Sequence, residues 1–232
     1  MTVGLIIGTA MPSDVLKGGK SMETIYGSAS SPVRDMTIGD TDFSVINRHG
    51  IPPMIPPHSI NHKANIHAMK IKKVDCLISV CSCGALHGDI EVPSFSIPDD
   101  YVDLFSGFTF HNEEIVHVTP VLNRKLSDSL AEACRKSGLV FRFGGTYVQT
   151  TGPRLETRAE ISVLSKWGDY VGMNLGPEAT LAIEAGIPVA SLLTVDNYAH
   201  GISEPPDYEI LRKNSMARWS KIKEILSLLD MR

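Results

Sequence analysis

Apolar and polar positions come in blocks along this chain, and the blocks change period. Thr2 to Ile7 reads as a strand, and Thr41 to Asn47 alternates as a strand does. Val74 to Val80 is a continuous apolar run, which suits a parallel strand buried on both faces. Pro93 to Pro98, Glu114 to Val118 (with His117 inside it), Leu139 to Thr150, Tyr170 to Met173 and Ile187 to Val195 read as further strands. Between them the spacing lengthens. Ala64, Ile66, Ala68, Met69 and Ile71 mark a helix across Asn61 to Lys72, and Leu126, Leu130, Ala131 and Cys134 mark one across Asn123 to Ser137 that Gly138 stops. Leu155 to Trp167 reads as helix with Glu156 near its start. Pro177 sits in the first turn of a helix that ends at Ala185 before Gly186. Pro205-Pro206 opens a long final helix. Lys17 to Arg34 reads as loop with a short strand, and Asp99 to Phe110 as an acidic, then aromatic loop.

Strands that alternate with helices predict an α/β fold: one domain over 1–232, with a central mixed, mostly parallel sheet flanked by helices. At 232 residues, 43% of them hydrophobic, the chain can bury one substantial core. A formal net charge of -4 and the lack of a long basic run argue against nucleic acid as a partner. No apolar run approaches a membrane span, and the apolar start lacks a basic n-region. The expected compartment is the cytoplasm. Cys76, Cys81, Cys83 and Cys134 form no zinc set and read as buried, reduced thiols. His58, His62 and His67 lack an accompanying carboxylate motif, so no metal is expected.

Candidate chemistry gathers at the ends of the apolar runs. Gly8-Thr9-Ala10 after the first strand can cradle an anion on backbone N–H groups, although it is not a dinucleotide fingerprint. Arg48-His49-Gly50 places two donors at a strand end, which suits a phosphate; taken alone, a surface arginine beside a satisfied histidine is the favoured reading. Cys81 to Leu86 is rich in small residues, which permit close approach of a ligand or of a helix. Glu156, Met173, Asn174 and Asn197 also fall at strand ends, where α/β folds bind ligands. They are candidates for one pocket, or else members of ordinary loops.

Four stretches carry a resemblance: NRHG (Asn47 to Gly50), IPPHSINHKANIHAM (Ile55 to Met69), GTYVQTTGPRLETRAE (Gly145 to Glu160) and VGMNLGPEATLAIEAGIPVA (Val171 to Ala190). With them the chain resembles the trimeric purine nucleoside phosphorylase and methylthioadenosine phosphorylase family, from about Gly4 to the last helix. The resemblance implies phosphorolysis of a purine nucleoside to free purine and ribose 1-phosphate, with inorganic phosphate as co-substrate and no cofactor. It implies that Thr9, Arg48, His49, the Ser82 backbone and Asn174 hold phosphate. Met173 would lie against the ribose, and Glu156 and Asn197 would hold the purine beside Leu155 and Ala199. Glu156, Asn197 and His49 would be the catalytic set. His117 would reach a neighbouring subunit's ribosyl pocket in a homotrimer or dimer of trimers. The aromatic loop Phe105 to His111, with Phe108 and Phe110, reads as part of that subunit contact.

This chain departs from the family's pattern at several of these positions. The first turn is IGTA, with one glycine fewer before the hydroxyl than is usual. Cys81 stands for a common Thr, Leu155 for a Phe, and Asn174 for a Ser or Thr. Where nucleoside-type members carry a His early in the last helix, Asp207 and Tyr208 stand here, so a 5′-hydroxyl and a 5′-methylthio group both remain open. A carboxylate at Glu156 accepts from the N1 hydrogen of a 6-oxopurine, and Asn197 can donate to O6. Both point to inosine, guanosine or 5′-methylthioinosine. The competing readings are a methylthioadenosine phosphorylase, a nucleosidase that uses water, and a nucleoside-binding protein without catalysis.

Overall fold

A computed structural model describes residues 1–51, 54–203 and 208–231, with no side-chain description at 208 and 210–212. Its core is one twisted sheet. The order β4 (Arg34–Ile38), β5 (Thr41–Asn47), β1 (Thr2–Ile7), β6 (Cys76–Ala85), β11 (Tyr170–Gly172), β10 (Thr146–Gln149), β8 (Asp100–Val102) forms its main path. β12 (Val189–Tyr198) also pairs with β6 and leads to β7 (Ser94–Ile97) and β9 (Phe141–Phe143). Most pairings are parallel; β4–β5, β6–β11 and β7–β12 are antiparallel. A two-stranded ribbon, β2 (Glu23–Thr24) and β3 (Gly27–Ser28), stands apart.

Both faces of the central strands are apolar because both are covered. Val3, Leu5, Ile7, Ile78, Val80 and Leu192 face α2 (Arg124–Ser137) and α6 (Trp219–Ser227). Ile6, Leu77, Cys81, Leu193 and Val195 face α1 (His62–Ile71) and α4 (Leu175–Glu184). Asn61 and Asn123 cap α1 and α2 by accepting backbone N–H bonds, and Gly138 ends α2 in the left-handed region at φ 67°.

Several elements differ from the sequence pattern, among them β8, a strand inside the loop expected over Asp99 to Phe110. Leu139 to Thr150 is two strands, because Gly144 and Gly145 take φ of 94° and 98°, which no strand continues through. α3 spans Arg158–Leu164 rather than Leu155 to Trp167; a capping box between Thr157 and Glu160 sets its start, which leaves Glu156 in the preceding loop. Glu114 to Val118 forms no strand: Glu113 to His117 are all exposed and have no neighbouring strand to pair with. The final helix is two, α5 (Tyr208–Met216) and α6, broken where the Arg218 guanidinium turns inward to Asp196, Nε to Oδ1 3.2 Å. Pro205, Pro206 and Asp207 lie outside the described residues. Phe108 and Phe110 are partly buried by the chain itself, Phe108 edge-on to His62 and Phe110 against Tyr26.

The fold creates a cleft by letting strands diverge. β1 pairs with β6 only as far as Val80, whereas β12 follows β6 on to Ala85 and β11 joins antiparallel at Gly84 and Ala85. The far half of β6 therefore has no β1 beside it. The carboxyl ends of β1, β5, β10 and β11 open into that space, the position where sheets of this class bind ligands.

The buried Tyr147 ties these ends together: its hydroxyl accepts from the Asn174 backbone N–H at 3.2 Å, at the start of α4. Tyr147→Phe leaves that N–H unpaired and should cost about 1–3 kcal/mol in urea unfolding. No measurable loss would mean that the bond does not help to seat α4.

Candidate active site

A cleft of about 650 Å³ is lined by Thr9, Arg48, His49, Ser82, Leu155, Glu156, Met173, Asn174, Asn197 and Ala199, together with Ile55, His200 and Ser215. All of the expected site residues thus meet in one space except His117, which lies exposed in an irregular segment away from it.

At one end, the turn after β1 closes with Met11 N–H donating to Gly8 O at 3.1 Å. Among the described residues, the N–H groups of Thr9 and Ala10 donate to no protein acceptor. Arg48 follows β5, but it is not the surface arginine that its position allowed. It is 1% exposed. Its Nε donates to Glu178 Oε1 at 2.6 Å and its Nη2 to Oε2 at 3.0 Å, a two-point pair across the core. Nη2 also reaches Ile6 O at 3.1 Å, and Nη1 donates to Val80 O at 2.8 Å. That leaves one Nη1 hydrogen for the cleft. Ser79 donates to Glu178 Oε2 at 2.5 Å, and His62 Nδ1 lies 3.6 Å from Oε1, too far for a hydrogen bond. Burial alone would raise the Glu178 pKa, yet the Arg48 charge wins and holds it down to about 2. Glu178, from the GPEA stretch, is the structural residue that sequence reasoning missed; an acidic residue in the first turn of a largely apolar helix was its only signal.

His49 donates from Nδ1 to the Ile55 carbonyl at 2.8 Å. Burial, then the nearby Arg48 charge, push its pKa down to about 4. Ser82 spends its hydroxyl on Asp196 at 2.7 Å, so its backbone is what remains for a ligand. Asn174 heads α4 without capping it, and its buried Oδ1 has no partner. Cys81 is fully buried against Ser79, with burial raising its thiol to about 11.

At the other end, Glu156 is buried and accepts from the Thr150 hydroxyl through Oε1 at 2.6 Å; its Oε2 has no protein donor among the described residues. Asn197 owes its direction to a β-bulge. Val195 pairs with Cys83 and Asn197 with Gly84, so Asp196 is the extra residue and the strand is re-aimed beyond it. Asn197 Nδ2 donates to the Tyr198 carbonyl at 2.7 Å. A carbonyl can only accept, so this bond assigns the amide's nitrogen side and leaves its second hydrogen and its oxygen for a ligand. His200, whose Nδ1 lies 3.4 Å from Glu156 O, and Ser215, whose buried hydroxyl is unpartnered, also line the cleft without having been foreseen.

A phosphorylase superfamily model matches residues 5–228. The chain belongs to the phosphorylase superfamily. Among its relatives is a protein of Archaeoglobus fulgidus named "Probable 6-oxopurine nucleoside phosphorylase", 44% identical over 91% of this chain and 88% of that protein. A Methanocaldococcus jannaschii protein named "Probable S-methyl-5'-thioinosine phosphorylase" is 36% identical over 87% of this chain and 81% of its own. Among solved structures, methylthioadenosine phosphorylase from Schistosoma mansoni in complex with adenine superposes with a TM-score of 0.90 at 24% identity, covering 98% of this chain and 90% of its own. At that identity the likeness speaks for the fold. No helix among the described residues is long and apolar enough to cross a membrane.

The buried charges make stability depend on acid. His49 is neutral in the fold and Glu178 is charged, so unfolding takes up protons at both and stability falls with pH. The His49 contribution is lost as pH falls from 6.5 toward about 4, and the Glu178 contribution as it falls from 4.5 through about 2. A Tm that does not fall across these windows would contradict both assignments. Glu178→Ala leaves Arg48 buried without its counter-charge and should cost about 3–5 kcal/mol in denaturant unfolding.

Proposed function

We propose that this chain catalyses the phosphorolysis of purine nucleosides, with 6-oxopurine bases preferred. One observation carries the reading: a single cleft joins an anion-type end, built from the β1 turn, Arg48 and His49, to a base-type end with Glu156 and Asn197. The names of the two relatives support the same substrate class. Phosphate would sit against Thr9, the remaining Arg48 hydrogen, His49, the Ser82 backbone and Asn174. From there it attacks the anomeric carbon of a sugar held by Met173. No protein nucleophile takes part. The phosphate charge steadies the cation-like ribosyl group, and the departing purine is held by Glu156 and Asn197, with Leu155 and Ala199 beside it. The reaction is a pentosyl transfer to phosphate and requires no cofactor.

Base choice follows from hydrogen-bond polarity. Glu156 accepts from N1–H of a 6-oxopurine, whereas adenine offers a lone pair there. Asn197 has one amide hydrogen for O6, and its oxygen accepts from N7 as that atom is protonated. Each mispaired buried group costs about 1–3 kcal/mol, so two give a preference on the order of 10²–10⁴. The 5′ group is left open between hydroxyl and methylthio. The Ser215 hydroxyl, without a partner among the described residues, lines the cleft.

The same reading includes a homotrimer or dimer of trimers. Leu104 and Phe105 are 64% and 72% exposed and, with Trp167 and Val163, border an apolar hollow that shares Glu156 with the cleft. His117 would serve a neighbour's site across that contact. The four free cysteines fit a reducing cytoplasm.

Purine release should depend strictly on phosphate; equal release from inosine in phosphate-free buffer would mean that water is the acceptor. Asn197→Asp should depress inosine phosphorolysis and raise the relative rate on adenosine. An unmodified protein that already prefers adenosine or methylthioadenosine would sink the 6-oxopurine assignment.

A further inference from the structure

We propose that the anion end of the cleft selects an oxyanion that brings its own proton, because His49 Nε2 presents a lone pair there; hydrogen phosphate satisfies it and sulfate does not. The inference rests on the phosphorylase reading and adds which ionic form of the co-substrate the site takes.

The tautomer follows from geometry. His49 Nδ1 lies 2.8 Å from the Ile55 carbonyl, which can only accept, so Nδ1 carries the hydrogen. In the neutral ring Nε2 is then an acceptor. The charged and titratable groups that face this ring are Arg48 beside it, Glu178 from α4 and His62 from α1. The ring's burial and the Arg48 cation keep it neutral, while Glu178 offsets the Arg48 charge as seen from the cleft. The place where Nε2 points is marked by Gly8. A Cβ there would lie 3.1 Å from Nε2 and 2.9 Å from Arg48 Nη1, so the two nitrogens converge over the turn after β1. Nε2 meets no protein donor among the described residues. Donors line the same end of the cleft: the free Nη1 hydrogen of Arg48 and the N–H of Thr9.

A pocket of donors with one acceptor distinguishes tetrahedral anions of similar size. Hydrogen phosphate and dihydrogen phosphate both carry a P–OH that can donate to Nε2. Arsenate does the same. Sulfate has no proton at neutral pH and sets a lone pair against a lone pair, unless His49 first takes a proton from solvent. Sulfate binding is therefore linked to uptake of one proton, and its affinity falls with rising pH while that of phosphate does not.

The test is calorimetric titration of the whole unliganded chain with inorganic phosphate and with sodium sulfate, in two buffers of different ionisation enthalpy. Between about pH 7.5 and 8.5, phosphate should bind with no net proton uptake, sulfate with about one proton, and the phosphate-to-sulfate affinity ratio should rise about tenfold. Arsenate should follow phosphate. Sulfate binding without proton uptake, at a ratio independent of pH, would overturn the proposal and leave the phosphorylase reading standing. Failure of phosphate to bind at all would remove both. His49→Gln, whose amide can donate, should make sulfate binding independent of pH; an unchanged pH dependence in that variant would place the responsible proton elsewhere and reject the assignment.

Discussion

The site depends on the buried pair between Arg48 and Glu178. It joins the end of β5 to α4 across the sheet, with Nε–Oε1 at 2.6 Å and both side chains sealed from water. Such a pair is stable only if the remaining polar atoms are also satisfied. Ser79, Val80 and Ile6 supply those partners. The result is an arginine with little rotational freedom and one hydrogen to spare. Its charge is balanced, so the pocket cannot rely on attraction at a distance. On the proposed reading, an anion there would be held by directed hydrogen bonds, which discriminate by proton position as well as by charge.

Divergence of the strands provides the space. β1 stops alongside Val80, and β6 runs on between β12 and β11. Residues past the end of β1 thereby face residues that are far away in sequence. The Asp196 bulge then turns Asn197 into the same space, while Asp196 itself ties Ser82, Thr194 and Arg218 together. Through Asp196 the end of the cleft is also connected to the start of α6.

Most of the sheet and helix order was legible, because buried parallel strands and amphipathic helices leave strong periodic patterns. Val74 to Val80 read correctly as strand for that reason, although the strand continues to Ala85 through Ser82 and Gly84, where the apolar run fails. Errors fell where local pattern and tertiary context disagreed. Leu139 to Thr150 carries apolar residues on both sides of its glycines, yet Gly144 and Gly145 turn the backbone. Glu114 to Val118 has β-branched residues, as a strand would, but finds no partner.

The candidate site divides in the same way. Sequence alone indicated which residues could meet, from their places at strand ends and from their motifs: Thr9, Arg48, His49, Glu156, Asn174 and Asn197; that β10 and β11 run against β1 and β6 and still deliver their ends to the same space is a matter of the sheet. Sequence could not determine what each side chain has left to offer. Whether Arg48 is free or paired, which nitrogen of His49 carries the proton, and which side of the Asn197 amide faces the ligand are set by Glu178, the Ile55 carbonyl and the Tyr198 carbonyl. Two of those partners are backbone atoms, whose position no residue identity encodes, and the third is 130 residues away in the chain. Only the folded packing brings them within hydrogen-bonding distance.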